Sequence, residues 1–318
     1  MSARVNGVGG SDEFDGADEV GRAVEVLRGG GLVAFPTETV YGLGADASQA
    51  EAVRRIYAVK QRPADHPLIV HLAGSPQLDD WAIDVPDDAR RLAELCWPGP
   101  LTLLLRRHLA VDATPAGGRD TIGLRVPAHP LALELLDRFG GGIAAPSANR
   151  FGRVSPTTAE HVRADLGDLV DVVLDGGPCP IGIESTIVDC TTMPFALLRP
   201  GAIPVEAIET HLGVEIAAAT GSSRAPGMLT SHYAPAAEVR LAEDSAAAIA
   251  VAAVEQDAGA RVELIDPGDD LLAYARGLYA WLRAADEHRA DVVVAVLPPP
   301  QGLGLAIRDR LRKAAAPR

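Results

Sequence analysis

Phe35-Pro-Thr-Glu-Thr-Val-Tyr-Gly-Leu-Gly44 is followed, one helix-length later, by Lys60-Gln-Arg-Pro-Ala-Asp-His-Pro-Leu-Ile-Val-His71. Each segment couples an apolar strand to an abrupt cluster of hydroxyls, cations and glycines. Packing alone does not require that combination, and the ends of strands in α/β sheets are usual ligand positions. The pair reads as a site for phosphates and a small polar ligand. Lys60 is one of only two lysines, the other being Lys313, while every remaining cation is an arginine. A compact, mobile ammonium supplies what a planar guanidinium cannot. The alternative is a helix-end cation stabilised by the macrodipole.

Working outward, 318 residues suffice for two domains and a well-buried core. The hydrophobic content of 47% and the few aromatics describe an ordinary globular chain rather than a disordered one. A formal charge of -14 argues against general adhesion to nucleic acid or anionic membrane, so an anionic ligand needs a local basic pocket. Cys96, Cys179 and Cys190 are widely spaced and form no C-x-x-C pair, which indicates neither a disulfide framework nor a zinc site. With an acidic, Gly-rich opening stretch and no long apolar run, the expectation is a cytoplasmic protein without signal peptide or membrane span.

From residue 17 to 213, short β-type runs alternate with helical stretches, the pattern of a twisted mixed-sheet α/β domain. Strands are expected at Leu32–Thr37, Leu68–Leu72, Leu101–Arg106, Thr121–Val126, Gly142–Pro146, Leu169–Leu174, Ser185–Asp189 and Ala196–Leu198. The clearest helix is expected from Ser48, with Ser48 and Glu51 as a capping box, to a stop before Pro63, which places Lys60 and Arg62 at its C-terminal end. Residues 214–236, rich in Ala, Gly, Ser and Pro, read as a linker. It carries Met228, His232 and Tyr233, all able to contact a ligand or a surface. Residues 237–318 read as three β-α units, a small three-layer Rossmann-like domain ending in a helix from Leu303 to Ala315.

Strand alternation gathers candidates onto single faces. Thr121, Gly123 and Arg125 share one face, and Ala145, Ser147 and Asn149 alternate with Pro146 and Ala148 where a strand gives way to a loop. That loop runs through Arg150, Arg153 and Ser155 into a helix whose free N-H groups favour anions. Ser185 and Thr186 open one strand and Arg199 closes the next, positions that turn chemistry alone could also explain. The histidines show no metal-ligand spacing, so any metal is expected to be Mg²⁺ arriving with phosphates. The standard phosphate-loop, dinucleotide and nucleophile-elbow templates are absent.

Taken in order, Phe35 to Gly44, Lys60-x-Arg62, His66 to His71, Trp97 to Thr102, Arg125-Val-Pro127, Ala145 to Asn149, Ser155-Pro-Thr157, Glu184-Ser-Thr186 and Leu198 to Gly201 resemble the Sua5/YrdC family of threonylcarbamoyl-AMP synthases. The linker strings Ala225 to Met228 and His232 to Pro235, with the tail Gly302 to Leu311, resemble the long Sua5 form. The resemblance implies a nucleotidyltransferase that condenses L-threonine, bicarbonate and ATP into L-threonylcarbamoyladenylate and pyrophosphate. Its product feeds a downstream threonylcarbamoyl transferase machinery that forms t6A on tRNA, with little tRNA binding by this chain itself.

By motif match, the resemblance places Thr37, Thr39, His71, Arg125, Ala145 and Ser185 around threonine. It gives Lys60 and Arg62 catalytic roles. Together with those two, His66, Thr121, Ser147, Asn149, Ser155, Arg199 and Tyr233 would hold ATP and the bicarbonate-derived carbonyl, Tyr233 from the linker acting as a lid. His66 stands where many members of the family carry Asn.

Overall fold

The structure is a computed structural model that describes residues 18–219, 225–227 and 232–317. Met228 and residue 17, named above, lie outside the described residues. The first unit opens with α1 (Glu19–Arg28), the hairpin β1 (Val33–Phe35) and β2 (Gly42–Asp46), α2 (Ala50–Lys60) and β3 (Ile69–His71). There follow α3 (Leu78–Trp81), β4 (Ala82–Ile83), α4 (Asp87–Cys96), β5 (Leu101–Arg107), β6 (Thr121–Arg125), α5 (Pro130–Phe139) and β7 (Ile143–Ala144). It continues with α6 (Ala159–Leu166), β8 (Val172–Val173), β9 (Thr186–Asp189), β10 (Ala196–Arg199), α7 (Val205–Leu212) and β11 (Ala217–Ala218). The second unit is β12 (Glu238–Ala242), α8 (Ser245–Asp257), β13 (Val262–Ile265), α9 (Leu271–Glu287), β14 (Val292–Val296) and α10 (Leu303–Ala315).

Eleven strands form one mixed sheet in the order β11-β10-β9-β5-β6-β3-β7-β2-β1-β8, with β4 beside β5. The period-two alternation of the central strands sorts their side chains. Val70, Ile122, Leu124, Leu103 and Val188 enter the main core under α2, α4, α6 and α7. Their neighbours Ile69, Leu104 and Ile187 lie in a separate small cluster with Leu198 and with Ala225 of the linker. Parallel pairing of β3 with β6 sets His71 opposite Arg125, so these two polar side chains come together because Val70 and Leu124 take the core. Near the other end of the sheet, α1 and α5 cover β1 and β7 with a third cluster.

The second unit is a parallel sheet in the order β12-β14-β13. Its α9 and α10 pack on one face and α8 on the other, the three-layer arrangement expected from the sequence. No helix among the described residues is long and apolar enough to cross a membrane.

Four local expectations are corrected. The capping box at Ser48 does not form: α2 begins at Ala50 after Gln49, which gives no side-chain cap. Ser48 Oγ instead bonds Asp46 Oδ1 at 2.7 Å, and Glu51 pairs with Arg54, because the turn leaving β2 claims the serine first. Gly42–Asp46, to which the sequence assigns no element, is a strand, and Gly44 lets Phe35 and Ile143 pack where a Cβ would stand. The strand expected at Leu169–Leu174 reduces to Val172–Val173, parallel to β1. Ala217–Ala218 pairs with β10 and so extends the large sheet into the stretch expected to be irregular.

Candidate active site

On α2, Val53, Ile56, Tyr57 and Lys60 are buried, the i, i+3, i+4, i+7 pattern of a core-facing stripe. Lys60 is therefore carried into the interior by the helix that bears it, and it is 1% exposed. Its Nζ donates to the main-chain carbonyls of Ser147 and Asn149, tying α2 to the loop after β7. Burial, reinforced by the Arg62 charge, holds the Lys60 ammonium well below its ordinary pKa. The chain then turns through Gln61 in the left-handed region (φ 55°) and delivers Arg62, whose guanidinium donates to Pro67 O at 3.0 Å and lies over the Phe151 ring at 5.4 Å.

A cleft of about 580 Å³, part of it open to solvent, lies on the face of the sheet opposite the main core. Thr37, Thr39, His71, Arg125, Ala145, Ser147 and Ser185 line it together with Arg62, Arg199 and Tyr233. Thr37 and Thr39 share a hydroxyl contact of 2.8 Å while Thr37 Oγ1 donates to Val40 O, so the β1–β2 turn presents a fixed pair of oxygens. His71 sits edge-on to Phe35, is 4% exposed, and is driven by burial and the neighbouring Arg125 down to a pKa of about 3, hence a neutral imidazole. Arg125 Nε donates to Gly99 O at 3.2 Å and its Nη2 faces Glu38 Oε1 at 2.7 Å.

Ser185 is held from two sides. Its hydroxyl meets Thr102 Oγ1 at 2.8 Å, and Arg199 Nη2 donates both to that hydroxyl at 3.0 Å and to the Ser185 carbonyl at 2.8 Å. His66 lines a neighbouring space, partly open to solvent, with Arg62, Arg119 and Phe151, and burial lowers its pKa. Pro226, Gly227 and His232 of the linker border both spaces. The other candidates stand back from the cleft. Lys60 lies behind Ser147, and Asn149 Nδ2 braces the loop through Arg150 O and Arg153 O. Ser155 Oγ donates to Glu184 at 2.7 Å, and Thr121 is not among the residues lining either space.

Two carboxylates that carried no assignment in the sequence complete the site. Glu38 fixes Arg125 and accepts Ala128 N at 3.0 Å. Glu184 takes Ser155 on one oxygen, and Arg310 and Tyr279 of the second unit on the other, each of these two at 2.8 Å. Burial alone would raise the Glu184 carboxyl; the Arg310 and Arg199 charges override it and hold the pKa near 2. Both glutamates sit inside quoted motifs, but a lone Glu in a strand-turn string carries no local signal of its partner.

Tyr233, with φ 61°, is 1% exposed, stacks on Tyr279 with centroids 5.5 Å apart and lies under the Arg310 guanidinium at 5.3 Å. His232 N donates to Lys313 O and Ala234 N to Gly152 O, so the linker is tied to both units.

Residues 25–201 match the family model Sua5_yciO_yrdC, described as telomere recombination, and residues 203–316 match the threonylcarbamoyl-AMP synthase C-terminal domain. A threonylcarbamoyl-AMP synthase of Pyrococcus abyssi is 42% identical over 92% of this chain and 93% of its own length. The Bacillus subtilis protein of that name is 40% identical over 97% and 96%. The crystal structure of P. abyssi Sua5 complexed with L-threonine superposes with a TM-score of 0.89 over 93% of this chain and 94% of that one, at 42% identity. With both family models matched in order and relatives alike over nearly their whole lengths, the chain belongs to the Sua5/YrdC family of threonylcarbamoyl-AMP synthases, in its two-domain Sua5 form.

Proposed function

We propose that this protein is an L-threonylcarbamoyladenylate synthase that condenses L-threonine, bicarbonate and ATP, with pyrophosphate released and the product destined for t6A formation on tRNA. The observation that carries the reading is the convergence of Arg125, Ser185, Arg199 and the Thr37–Thr39 pair on one cleft bordered by the linker. A carboxylate fits against Arg125, whose Nη1 makes no hydrogen bond to the described residues. The site thus offers threonine one arm of the guanidinium, the other being held by Glu38. Thr37 and Thr39 supply oxygens suited to the ammonium or hydroxyl end, and neutral His71 adds a polar edge without repelling a cation.

The threonine amine adds to bicarbonate carbon and water leaves, giving a carbamate. A carbamate oxygen then attacks the α-phosphorus of ATP and the bond to the β-phosphate oxygen breaks. No covalent enzyme intermediate is required, only positioning and charge neutralisation. Arg62 and Arg199 border the space where phosphates would lie, with His66 in the adjoining cavity. Lys60, Ser147 and Asn149 set the loop against which the nucleotide would rest, while Ser155 is buried behind Glu184 and Thr121 lies off the cleft wall. Mg²⁺ would enter with the phosphates as part of the substrate: among the described cleft-lining residues Glu184 is the lone carboxylate, and Ser155, Arg310 and Tyr279 already occupy it. Residues 214–236 are proposed as a linker that closes the site, with Tyr233 at its closing edge.

The test is pyrophosphate release by purified protein with ATP, Mg²⁺ and bicarbonate, with and without L-threonine, and mass spectrometry of the adenylate. Threonine-dependent release with the threonylcarbamoyl adduct supports the reading; release independent of threonine assigns another acceptor.

A further inference from the structure

The tail string Gly302-Leu-Gly-x-Ala-Ile-x-Asp-Arg-Leu311 has no role in the proposed chemistry, yet it contains Arg310, a fully buried cation in the second unit. Arg310 Nε donates to Glu184 Oε2, its Nη1 donates to Pro200 O at 3.0 Å and to Asp309, and its face covers the Tyr233 ring. Tyr279 donates to the same Glu184 oxygen and stacks on the same Tyr233 ring. Glu184 Oε1 receives Ser155, and Ser185, the next residue, receives Arg199. A single carboxylate therefore connects α9 and α10 to the loop carrying Ser155, to the cleft residue Ser185 and, through the shared aromatic stack, to the linker.

This arrangement is a poor device for stability. A buried ion pair contributes little beyond an apolar replacement of similar volume, because desolvation offsets the attraction. What it does supply is direction: a guanidinium fork and a phenol hold one carboxylate in a single orientation. We propose that Arg310, assisted by Tyr279, is a positioning residue for the adenylation step, acting through Glu184 to hold the loop of Ser155 behind the cleft in register with Ser185 on its wall. The second unit is then part of the active site's framework as well as an anchor for the linker. This inference rests on the proposed synthase reading.

The test uses the full chain carrying Arg310→Met, Arg310→Lys or Tyr279→Phe, with separate kcat and KM values for ATP and threonine and with hydrogen exchange of the segments 153–157 and 184–186. Arg310→Met is expected to lower kcat at least ten-fold, to raise KM for ATP and, through Ser185, KM for threonine, and to speed exchange in those two segments while α8 and β13 stay protected. Arg310→Lys recovers part of the loss, since it restores charge without the fork. Tyr279→Phe, which deletes one hydroxyl, gives a smaller change of the same kind and decides the matter if Arg310→Met does not fold. Unchanged exchange and kcat in folded Arg310→Met and Tyr279→Phe overturn the inference. If the unaltered protein makes no threonylcarbamoyl adenylate, the functional reading falls, and the exchange measurement still decides whether Arg310 orders these segments.

Discussion

Arg125 and Glu38 face each other at 2.7 Å with side chains only 5% and 7% exposed, so the residue best suited to bind a substrate carboxylate is already half engaged by a carboxylate of its own chain. Glu38 thereby orients the guanidinium and leaves a single arm for the ligand. Arg125→Ala is expected to raise KM for threonine about 10- to 100-fold, because a hydrogen bond to a charged group contributes about 1.5–3 kcal/mol. It also strands Glu38 without its cation, at a cost to stability of about 3–5 kcal/mol. Arg125→Lys separates the two effects by keeping a cation beside Glu38. Threonine saturation curves on both variants check this, and an unchanged KM in a folded Arg125→Lys removes Arg125 from the threonine site.

Lys60 shows how a cation can serve a reaction from behind the surface. Lys60→Met leaves the buried Asn149 carbonyl without its donor, a penalty of about 1–3 kcal/mol, and takes one of two donors from the Ser147 carbonyl, which keeps Asn149 N. Turnover is expected to fall at least a hundred-fold with KM for threonine little changed, and Lys60→Arg is not expected to rescue it, since a planar fork does not match two carbonyls gripped by one ammonium. Steady-state kinetics beside a thermal melt decide between loss of chemistry and loss of fold.

The pH dependence of stability follows from His71. Burial holds it at a pKa of about 3 in the folded chain against an ordinary 6.5, so the unfolded chain binds the extra proton. Its contribution is complete above pH 6.5 and is lost as pH falls from 6.5 towards 3, at up to about 1.4 kcal/mol per unit. His232, also near 3 by burial, adds a second slope of the same sign. Urea unfolding at several pH values should show His71→Gln with a shallower acid slope than the parent; equal slopes would mean that His71 is not neutral by burial.

Gly227 has φ 79°, and a Cβ there would stand 2.6 Å from the Tyr233 hydroxyl and 3.1 Å from Arg199 Cδ. Gly227→Ala carries a backbone penalty of about 1–2 kcal/mol and also forces the linker away from Arg199. The expected result is turnover reduced about ten-fold with a melting temperature within a few degrees of the parent. Parental turnover from this variant would show that the linker position seen here does not matter to the reaction.

Much of this architecture was legible from local pattern. The apolar alternation of Thr121-Ile-Gly-Leu-Arg125 placed Arg125 away from the core, and the β-α spacing after residue 237 marked three parallel strands and their helices. The end of α2 at Lys60 followed from Pro63. Its start did not, because a capping box competes with the Asp46 turn, and that competition is settled by β2 pairing with β1 and β7. β2 itself was hidden by its glycines, which weaken any strand reading until the aromatic and aliphatic side chains that need the space are known.

The chain by itself determined which chemical groups were available and on which faces of which elements they stood, since 3.6- and 2-residue periods are local properties. Tertiary structure alone decided what those groups do to one another. Lys60 meets the Ser147 carbonyl across 87 residues, Ala128 N meets Glu38 across 90, and Arg310 meets Glu184 across 126. Such pairings depend on strand order and on the docking of one unit against the other. No local period encodes either.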